Sequence, residues 1–227
     1  MKTFLSFALF SLFLQSTPPL TPSAPLSEAH SEVHSELKVA PIDPFQDPLI
    51  LSIHSRHQIA VEGDKKEVKA LVSDLEKLTV EHPQNSLLLA YLGSGYTLQS
   101  RDAFPGPGKL NLLKKGGKTL DQAVDQDPHN IATRFIRAVN YYELPRIFNK
   151  RTVSREDFQI IVSQMESPGC PQQFSDETRQ AIYYYAGLSS QQLNQPEQAK
   201  LFWENGLKLS PYSNLGQKIQ AKLKKLK

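Results

Sequence analysis

The chain has 227 residues, enough for one domain with a substantial hydrophobic core or for two small domains. Its formal net charge of +3 is too small to indicate nucleic-acid binding, and 39% hydrophobic with 22% charged residues is typical of an ordinary globular fold. We therefore expect no nucleic-acid partner. The single cysteine, Cys170, excludes an intrachain disulfide and lacks an identifiable activating base, so we expect an inert thiol.

The first residues have the pattern of a secretory signal peptide. Lys2 precedes an apolar run from Phe4 to Leu14, which is too short to span a membrane comfortably. A stretch rich in Pro and Ser follows and buries little apolar surface. We predict a signal peptide over residues 1–16, a disordered leader over 17–47 and a folded domain over 48–227. The expected location is periplasmic or secreted, with an uncleaved N-terminal anchor as the alternative.

Apolar residues at helical spacing predict a first pair of helices, Leu49–Val61 and Lys65–Val80, with Pro83 just beyond the second. A second pair begins after Asn85. A third begins after Asn130 and stops near Pro145, and Ser154 is predicted to cap the helix that follows. No segment alternates with a period of two, so we expect essentially no sheet.

Residues 183–211 predict the fourth pair of helices. Small residues such as Gly187 and Ala199 allow two helix backbones to approach closely, while Tyr183 and Trp203 fill the space beside them. The chain after Pro211 predicts a terminal helix with Leu215, Ile219, Leu223 and Leu226 on one face. This helix can cover the last apolar face of a stack, or, as an alternative, its lysines can contact an anionic membrane.

The spacing of large, small and aromatic residues before a terminal proline resembles a tetratricopeptide repeat. The prolines at 83, 128, 168 and 211 are 45, 40 and 43 residues apart. A wider resemblance, over residues 85–158, is to exported bacterial tetratricopeptide-like proteins. It implies an all-α, tetratricopeptide-like α-solenoid of about four helical hairpins plus a C-terminal capping helix, and it implies no reaction. The structural repeat positions are Leu92, Gly93, Tyr96, Ala123, Pro128, Tyr183, Gly187, Ala199, Trp203 and Pro211.

The second hairpin departs from the repeat pattern. About eleven additional residues separate Tyr96 from Gly116, including a Pro- and Gly-rich stretch and the basic, leucine-rich Lys109–Lys115. We predict a loop followed by extra N-terminal turns on the second helix. The Gly116–Thr119 sequence resembles the end of a phosphate-binding loop, but Leu112 stands where that motif requires glycine.

Arginine at repeat positions that are normally apolar must be paired or must face a cavity. Two interpretations follow. In the first, a salt-bridge network with Asp102 and Asp125 holds the insertion against the third hairpin; in the second, the group receives a carboxylate or phosphate. The candidate ligand- or partner-binding residues are Arg101, Asp102, Lys109, Arg134, Arg137, Asn140 and Tyr141.

The histidine pairs at 30 and 34 and at 54 and 57 have a spacing that suits zinc. The first pair lies in the predicted disordered leader, and the second has no Cys, Asp or Glu close by to complete a site. We therefore expect structural histidines, no metal and no cofactor. No catalytic set is identified. Of the three consecutive tyrosines Tyr183–Tyr185, one or two are expected in the core and one along a groove.

These observations predict a non-enzymatic, exported scaffold for a protein or peptide partner. The partner is expected in a concave groove lined by the first helix of each pair, or on the basic insertion. Two alternatives remain: an anion- or small-molecule-binding protein that uses the Arg/Lys cluster, and a membrane-associated assembly factor that uses the C-terminal lysines.

Overall fold

The computed structural model describes residues 47–168 and 174–226, and within those ranges every regular element is helical. The predicted signal peptide, the leader up to residue 46, His30, His34 and Cys170 lie outside the described residues. In the described part, none of the helices is long and apolar enough to cross a membrane.

Nine α-helices and one 3-10 turn account for the regular structure of the described residues. They are α1 Pro48–Glu62, α2 Lys65–Glu81, α3 Ser86–Asp102, α4 Pro107–Gln126, α5 Ile131–Glu143, the 3-10 turn Arg146–Phe148, α6 Arg151–Met165, α7 Asp176–Gln192, α8 Pro196–Leu209 and α9 Asn214–Lys224.

Local sequence explains most of these helix boundaries. Six helices begin after a residue whose side-chain oxygen accepts a hydrogen bond from a first-turn N–H, which satisfies a donor that the helix itself leaves unpaired. These N-cap residues are Asp47, Asp64, Asn85, Asn130, Ser175 and Ser213. Helix α1 ends at Gly63, whose φ of 117° is readily adopted only without a side chain.

Helix α6 begins at Arg151, so the predicted cap at Ser154 is wrong. Ser154 is buried within the helix, and its hydroxyl donates to the Ala138 carbonyl of α5 at 2.8 Å. A serine that bonds the neighbouring helix satisfies its hydroxyl without ending its own helix, which the local sequence does not reveal.

The helices stack in chain order as four antiparallel pairs. Helices α1 and α2, α3 and α4, α5 and α6, and α7 and α8 pack together, and the second helix of each pair contacts the first helix of the next. Helix α9 packs on α7 and α8. This arrangement is the predicted all-α solenoid with a terminal helix, and the apolar side chains of successive layers form one continuous core.

Small residues bring the paired helices together, as the repeat positions indicated. A Cβ atom on Gly116 would lie 2.8 Å from the Gly93 carbonyl oxygen, so α3 and α4 cross there with their backbones in contact. In the last pair Gly187 lies directly against the ring of Trp203, whose Nε1 donates to the Tyr184 carbonyl at 3.0 Å. Trp203 is completely buried as a result.

The insertion forms the extra helical turns that the sequence predicts. Helix α4 begins at Pro107 and is 20 residues long, and residues 103–106 connect it to α3. Gly116 and Gly117 therefore lie inside a helix, and the geometry of a phosphate-binding loop is absent there.

The first helices of the four hairpins also contact one another, and this closes the expected groove. Most residues of α3, α5 and α7 are buried, including all three tyrosines at 183–185. A cavity of only about 10 Å³ lies where the four helices converge, lined by residues such as His57, Tyr91, Ile136 and Tyr185. The prediction that one tyrosine lines an open groove is therefore wrong, because packing covers the faces of these helices.

Candidate functional site

The predicted polar cluster separates into two groups, and the first lies between α4, α5 and α6. Asp157, on α6 and 1% exposed, accepts from Arg134 Nη1 at 2.6 Å. It also accepts from Arg137 Nε at 2.8 Å and Nη2 at 2.7 Å. Although burial alone disfavours a charged side chain, the hydrogen bonds to Asp157 raise the pKa of Arg137. Both guanidinium groups are therefore already engaged by a carboxylate.

Asp121 on α4 completes this group. Its Oδ1 accepts from Arg137 Nη1 at 3.2 Å and from the Tyr141 hydroxyl at 2.7 Å, and Lys150 donates to its Oδ2 at 3.2 Å. The predicted partner Asp125 is exposed, so that prediction is wrong. Asp121 lies one helical turn earlier, on the side of α4 that faces α5, and takes the place assigned to Asp125.

The second group joins the end of α3 to the end of α1 and to the insertion. The Arg101 guanidinium donates to both carboxylate oxygens of Asp102, at 2.8 and 3.0 Å, and to the carbonyls of Val61 and Ala60, at 2.8 and 3.0 Å. Lys109 Nζ donates to the Arg101 carbonyl at 3.1 Å. Arg101 thus satisfies carbonyls at the end of α1, and Asp102 pairs with Arg101 rather than with Arg134 or Arg137.

A pocket of about 220 Å³ lies beside this second group. The end of α3, the first half of α4, the end of α5 and the 3-10 turn enclose it, and we call it the insertion pocket. Its apolar walls are formed by Leu98, Leu110, Leu113, Leu144, Pro145 and Phe148. Arg101 and Lys109 line it too, but their charged ends are directed to Asp102 and to backbone carbonyls, so the interior of the pocket is apolar.

Glu143 is the acidic residue of this wall. Its Oε1 is buried without a hydrogen-bond partner among the described residues, and burial raises the pKa of its carboxyl group to about 7. A carboxyl group that is partly neutral at physiological pH, in an apolar wall, gives no binding site for an anion. The insertion pocket is therefore suited to an apolar ligand group.

Apolar side chains are also exposed in two chain segments that contribute residues to the pocket. Phe104, in the loop before α4, is 90% exposed, and Ile147, in the 3-10 turn, is 86% exposed. Leu110 lines the pocket and is itself about half exposed. The basic insertion was predicted as one possible docking region, but none of these residues, nor Glu143, was among the predicted site residues. The signal that could have found them is the combination of Phe and Leu with Pro and Gly in the insertion and again in residues 144–148.

The histidines form a separate, buried polar network between α1, α3 and α5. His54 Nδ1 lies 2.8 Å from the Tyr91 hydroxyl, and His57 Nε2 lies 2.7 Å from Ser94 Oγ. The predicted candidate Asn140 belongs to this network, since its amide group bonds with Ser94 and Thr97. Burial lowers the pKa of His54 to about 4 and that of His57 to about 3. No group of three or more potential metal ligands occurs in the described part of the chain.

Comparison with known proteins identifies solved structures with a similar fold. No protein-family model and no curated protein match the chain. Among solved structures, a thermophilic TPR protein of Thermus thermophilus superimposes with a TM-score of 0.57 at 13% identity, over 78% of this chain and 82% of that one. The structure of MamA gives a TM-score of 0.45 at 14% identity, over 74% and 92% of the two chains. The superposition on the Thermus thermophilus protein shows the fold, which is a tetratricopeptide-like α-solenoid.

Proposed function

We propose that this protein is a non-enzymatic helical-repeat scaffold that binds a partner protein through the insertion pocket and the exposed apolar side chains beside it. The observation that carries the proposal is an apolar pocket of about 220 Å³ together with exposed Phe104 and Ile147 in the chain segments that contribute its lining residues. A tetratricopeptide-like solenoid supports it, because such stacks provide extended surfaces for binding. The docking surface differs from the groove expected along the first helices, which are mostly buried.

The free energy of burying exposed apolar side chains supports docking at this surface. Covering an exposed Phe or Ile side chain stabilises a complex by about 1.5–3 kcal/mol, and interfaces concentrate their affinity in a few apolar or aromatic side chains that enter pockets. Phe104, Ile147 and Leu110 lie on two segments that border one pocket.

The alternative of an anion receptor has less support. Arg134 and Arg137 are both bound to Asp157, and Arg101 is bound to Asp102 and two carbonyls. An incoming carboxylate or phosphate must first break these bonds, and a buried Asp157 without its partners is costly. The apolar interior of the insertion pocket gives an anion no compensating donors.

The alternative of a membrane-associated assembly factor also has less support. Leu215 and Ile219 of α9 are buried against the preceding hairpin, so the apolar face that membrane insertion needs is already covered. We favour a capping role for α9.

We also propose that the protein is exported, on the support of Lys2 and the apolar run from Phe4 to Leu14. Cell fractionation of the full chain and of a variant that lacks residues 2–14 tests this. The full chain is expected outside the cytoplasm and the deletion variant inside it. Equal cytoplasmic recovery of the two would contradict export.

Site-specific photocrosslinking of the full chain in its native cells tests the docking surface. A photoreactive residue at position 104 and one at position 147 are each expected to give a discrete adduct, with the same partner protein in both cases. The matched control is position 212, because Tyr212 is 88% exposed but lies in the turn between α8 and α9. Adducts that are absent at 104 and 147, or equally abundant at 212, would overturn the proposal.

A further inference from the structure

We infer that the insertion pocket receives one bulky apolar side chain from an acidic segment of the partner protein, an inference that rests on the docking function proposed above. Three features of the described residues carry it: the volume of the pocket, the apolar character of its walls, and the charge of the two segments that border it.

Volume limits the occupant to a single side chain. An apolar cavity of about 150 Å³ admits benzene, so a pocket of about 220 Å³ accommodates a Phe, Leu or Met side chain. The walls formed by Leu98, Leu113 and Phe148 offer dispersion contacts on several sides. An anionic occupant has no donor there, because Arg101 and Lys109 direct their charged ends elsewhere. Among the described residues, the unpaired polar atom of the wall is Glu143 Oε1, which is an acceptor for a donor group and does not attract an anion.

The charge of the protein around the pocket predicts which residues flank the inserted apolar side chain in the partner segment. Residues 103–118 contain four lysines and no acidic residue, and residues 144–151 contain two arginines and one lysine and again no acidic residue. Both segments border the pocket. A partner segment rich in Asp and Glu is therefore attracted to this surface, and a basic one is repelled.

Some of this charge is not neutralised within the protein. Lys115 pairs with Glu76 at 3.4 Å and Lys150 with Asp121 at 3.2 Å. Lys114 and Arg146 are exposed, and neither forms an ion pair with a residue that the structure describes. Burial and the adjacent charge of Arg146 both lower the pKa of Arg151, which reflects an excess of positive charge there.

A protein segment fits this geometry better than a lipid bilayer. The pocket is a small, partly open recess rather than a flat amphipathic face, and a lipid acyl chain is too long to be contained in it. The binding experiment nevertheless includes anionic vesicles as a second ligand, because lysines in the same segment as the exposed Phe104 also suit a membrane surface.

Fluorescence anisotropy with the full chain and labelled synthetic peptides tests the inference. The first peptide carries one central Phe between runs of Asp and Glu. The second has Ser at the centre, and the third has Lys in place of every acidic residue. The acidic Phe peptide is expected to bind about tenfold or more tightly than the Ser peptide, because the burial of one Phe side chain increases the affinity by about that factor or more. The Lys peptide is expected not to bind, and added salt is expected to weaken the acidic complex.

A matched pair of charge variants assigns the binding to this surface. Lys114→Glu with Arg146→Glu is expected to weaken the acidic Phe peptide about tenfold or more. Lys66→Glu with Lys69→Glu makes the same change in net charge on exposed positions of α2 and is expected to leave binding unchanged. Equal effects of the two double variants would overturn the inference, since attraction would then be non-specific.

Failure of this inference and failure of the docking function are distinguishable. Photocrosslinks at positions 104 and 147 without binding of any acidic peptide would refute the acidic anchor and leave partner docking in place. Stronger binding of the Lys peptide or of the Ser peptide would also refute it. Binding to anionic vesicles that is abolished by Lys114→Glu with Arg146→Glu, without peptide binding, would assign the surface to a membrane instead.

Discussion

Asp157 joins two arginines at one buried point between α5 and α6. Its carboxylate accepts three hydrogen bonds from Arg134 and Arg137, and all three side chains lie at positions where the solenoid packs. The arrangement is stable because each charge has a partner, and the removal of one partner leaves the others buried and uncompensated.

We predict that Asp157→Asn lowers the free energy of unfolding by about 3–5 kcal/mol, because two guanidinium groups lose a buried anion. Urea unfolding followed by circular dichroism measures the change. The neighbouring Glu156→Gln is the control, since Glu156 is exposed, and it is expected to stay within about 0.5 kcal/mol of the wild type. A loss below about 1 kcal/mol for Asp157→Asn would show that the network contributes little to stability.

His54 and His57 make stability depend on pH. Both are buried, with pKa values lowered to about 4 and about 3, so the folded state holds them neutral. A histidine with a lowered pKa contributes its full stability above the unfolded value of about 6.5 and loses it as pH falls toward the folded value. Each histidine therefore costs up to about 2 kcal/mol on going from pH 7 to pH 5.

The measurement compares urea unfolding of the wild type and His57→Gln at pH 7 and pH 5. The variant is expected to lose less stability on acidification, because Gln does not titrate at that position. The comparison with a variant is necessary since the raised pKa of Glu143, about 7, acts in the opposite direction and stabilises the fold as pH falls. An identical pH dependence of the two proteins would contradict the assignment.

At the scale of elements, the contact between α3 and α4 depends on one of two adjacent glycines. A Cβ atom on Gly116 would lie 2.8 Å from the Gly93 carbonyl oxygen, whereas on Gly117 the nearest atom is the Tyr141 hydroxyl at 3.7 Å. The first substitution forces two backbones apart. The second makes an ordinary contact.

We predict that Gly116→Ala lowers the free energy of unfolding by about 1–3 kcal/mol through overpacking. Gly117→Ala is expected to be neutral or to stabilise by up to about 1 kcal/mol, because alanine favours a helix interior more than glycine does. Thermal and urea unfolding of both variants measure the difference. If both substitutions stabilise the protein, the helices are not in backbone contact at this point.

At the scale of the whole molecule, α9 closes the last layer of the solenoid. Leu215 and Ile219 are buried against α7 and α8, and Leu223 and Leu226 pack partly against the same core. A stack of repeats needs such a terminal element, since its last apolar face is otherwise exposed to water.

We predict that truncation after Pro211 lowers the free energy of unfolding by about 3–6 kcal/mol, the sum for two aliphatic side chains at about 1.5–3 kcal/mol each. The double variant Lys224→Ala with Lys225→Ala keeps the helix and removes two exposed charges, and it is expected to unfold like the wild type. Urea titration measures stability, and light scattering detects aggregation of the truncated chain. Equal stability of truncated and full chains would exclude the capping role.

The local sequence determined the number, order and approximate bounds of the helical pairs. The reason is physical: the proline at the end of a helix, the capping residue at its start, and the small residues that allow two helices to cross all act within one hairpin. The extra turns of α4 were predictable for the same reason, because Lys109–Lys115 continues the helical pattern toward Gly116 without a break.

The ion-pair partners, the insertion pocket and the burial of the first helices follow only from the tertiary structure, because each depends on how helices distant in sequence are rotated against one another. Asp121 rather than Asp125 faces Arg137, and Asp157 supplies the buried carboxylate, because only the packing of α4 and α6 on α5 selects which side of each helix is turned inward. The insertion pocket combines four segments between Thr97 and Phe148, and each is unremarkable alone. The burial of α3, α5 and α7 on nearly every side likewise follows from the mutual approach of the hairpins, which no local pattern records.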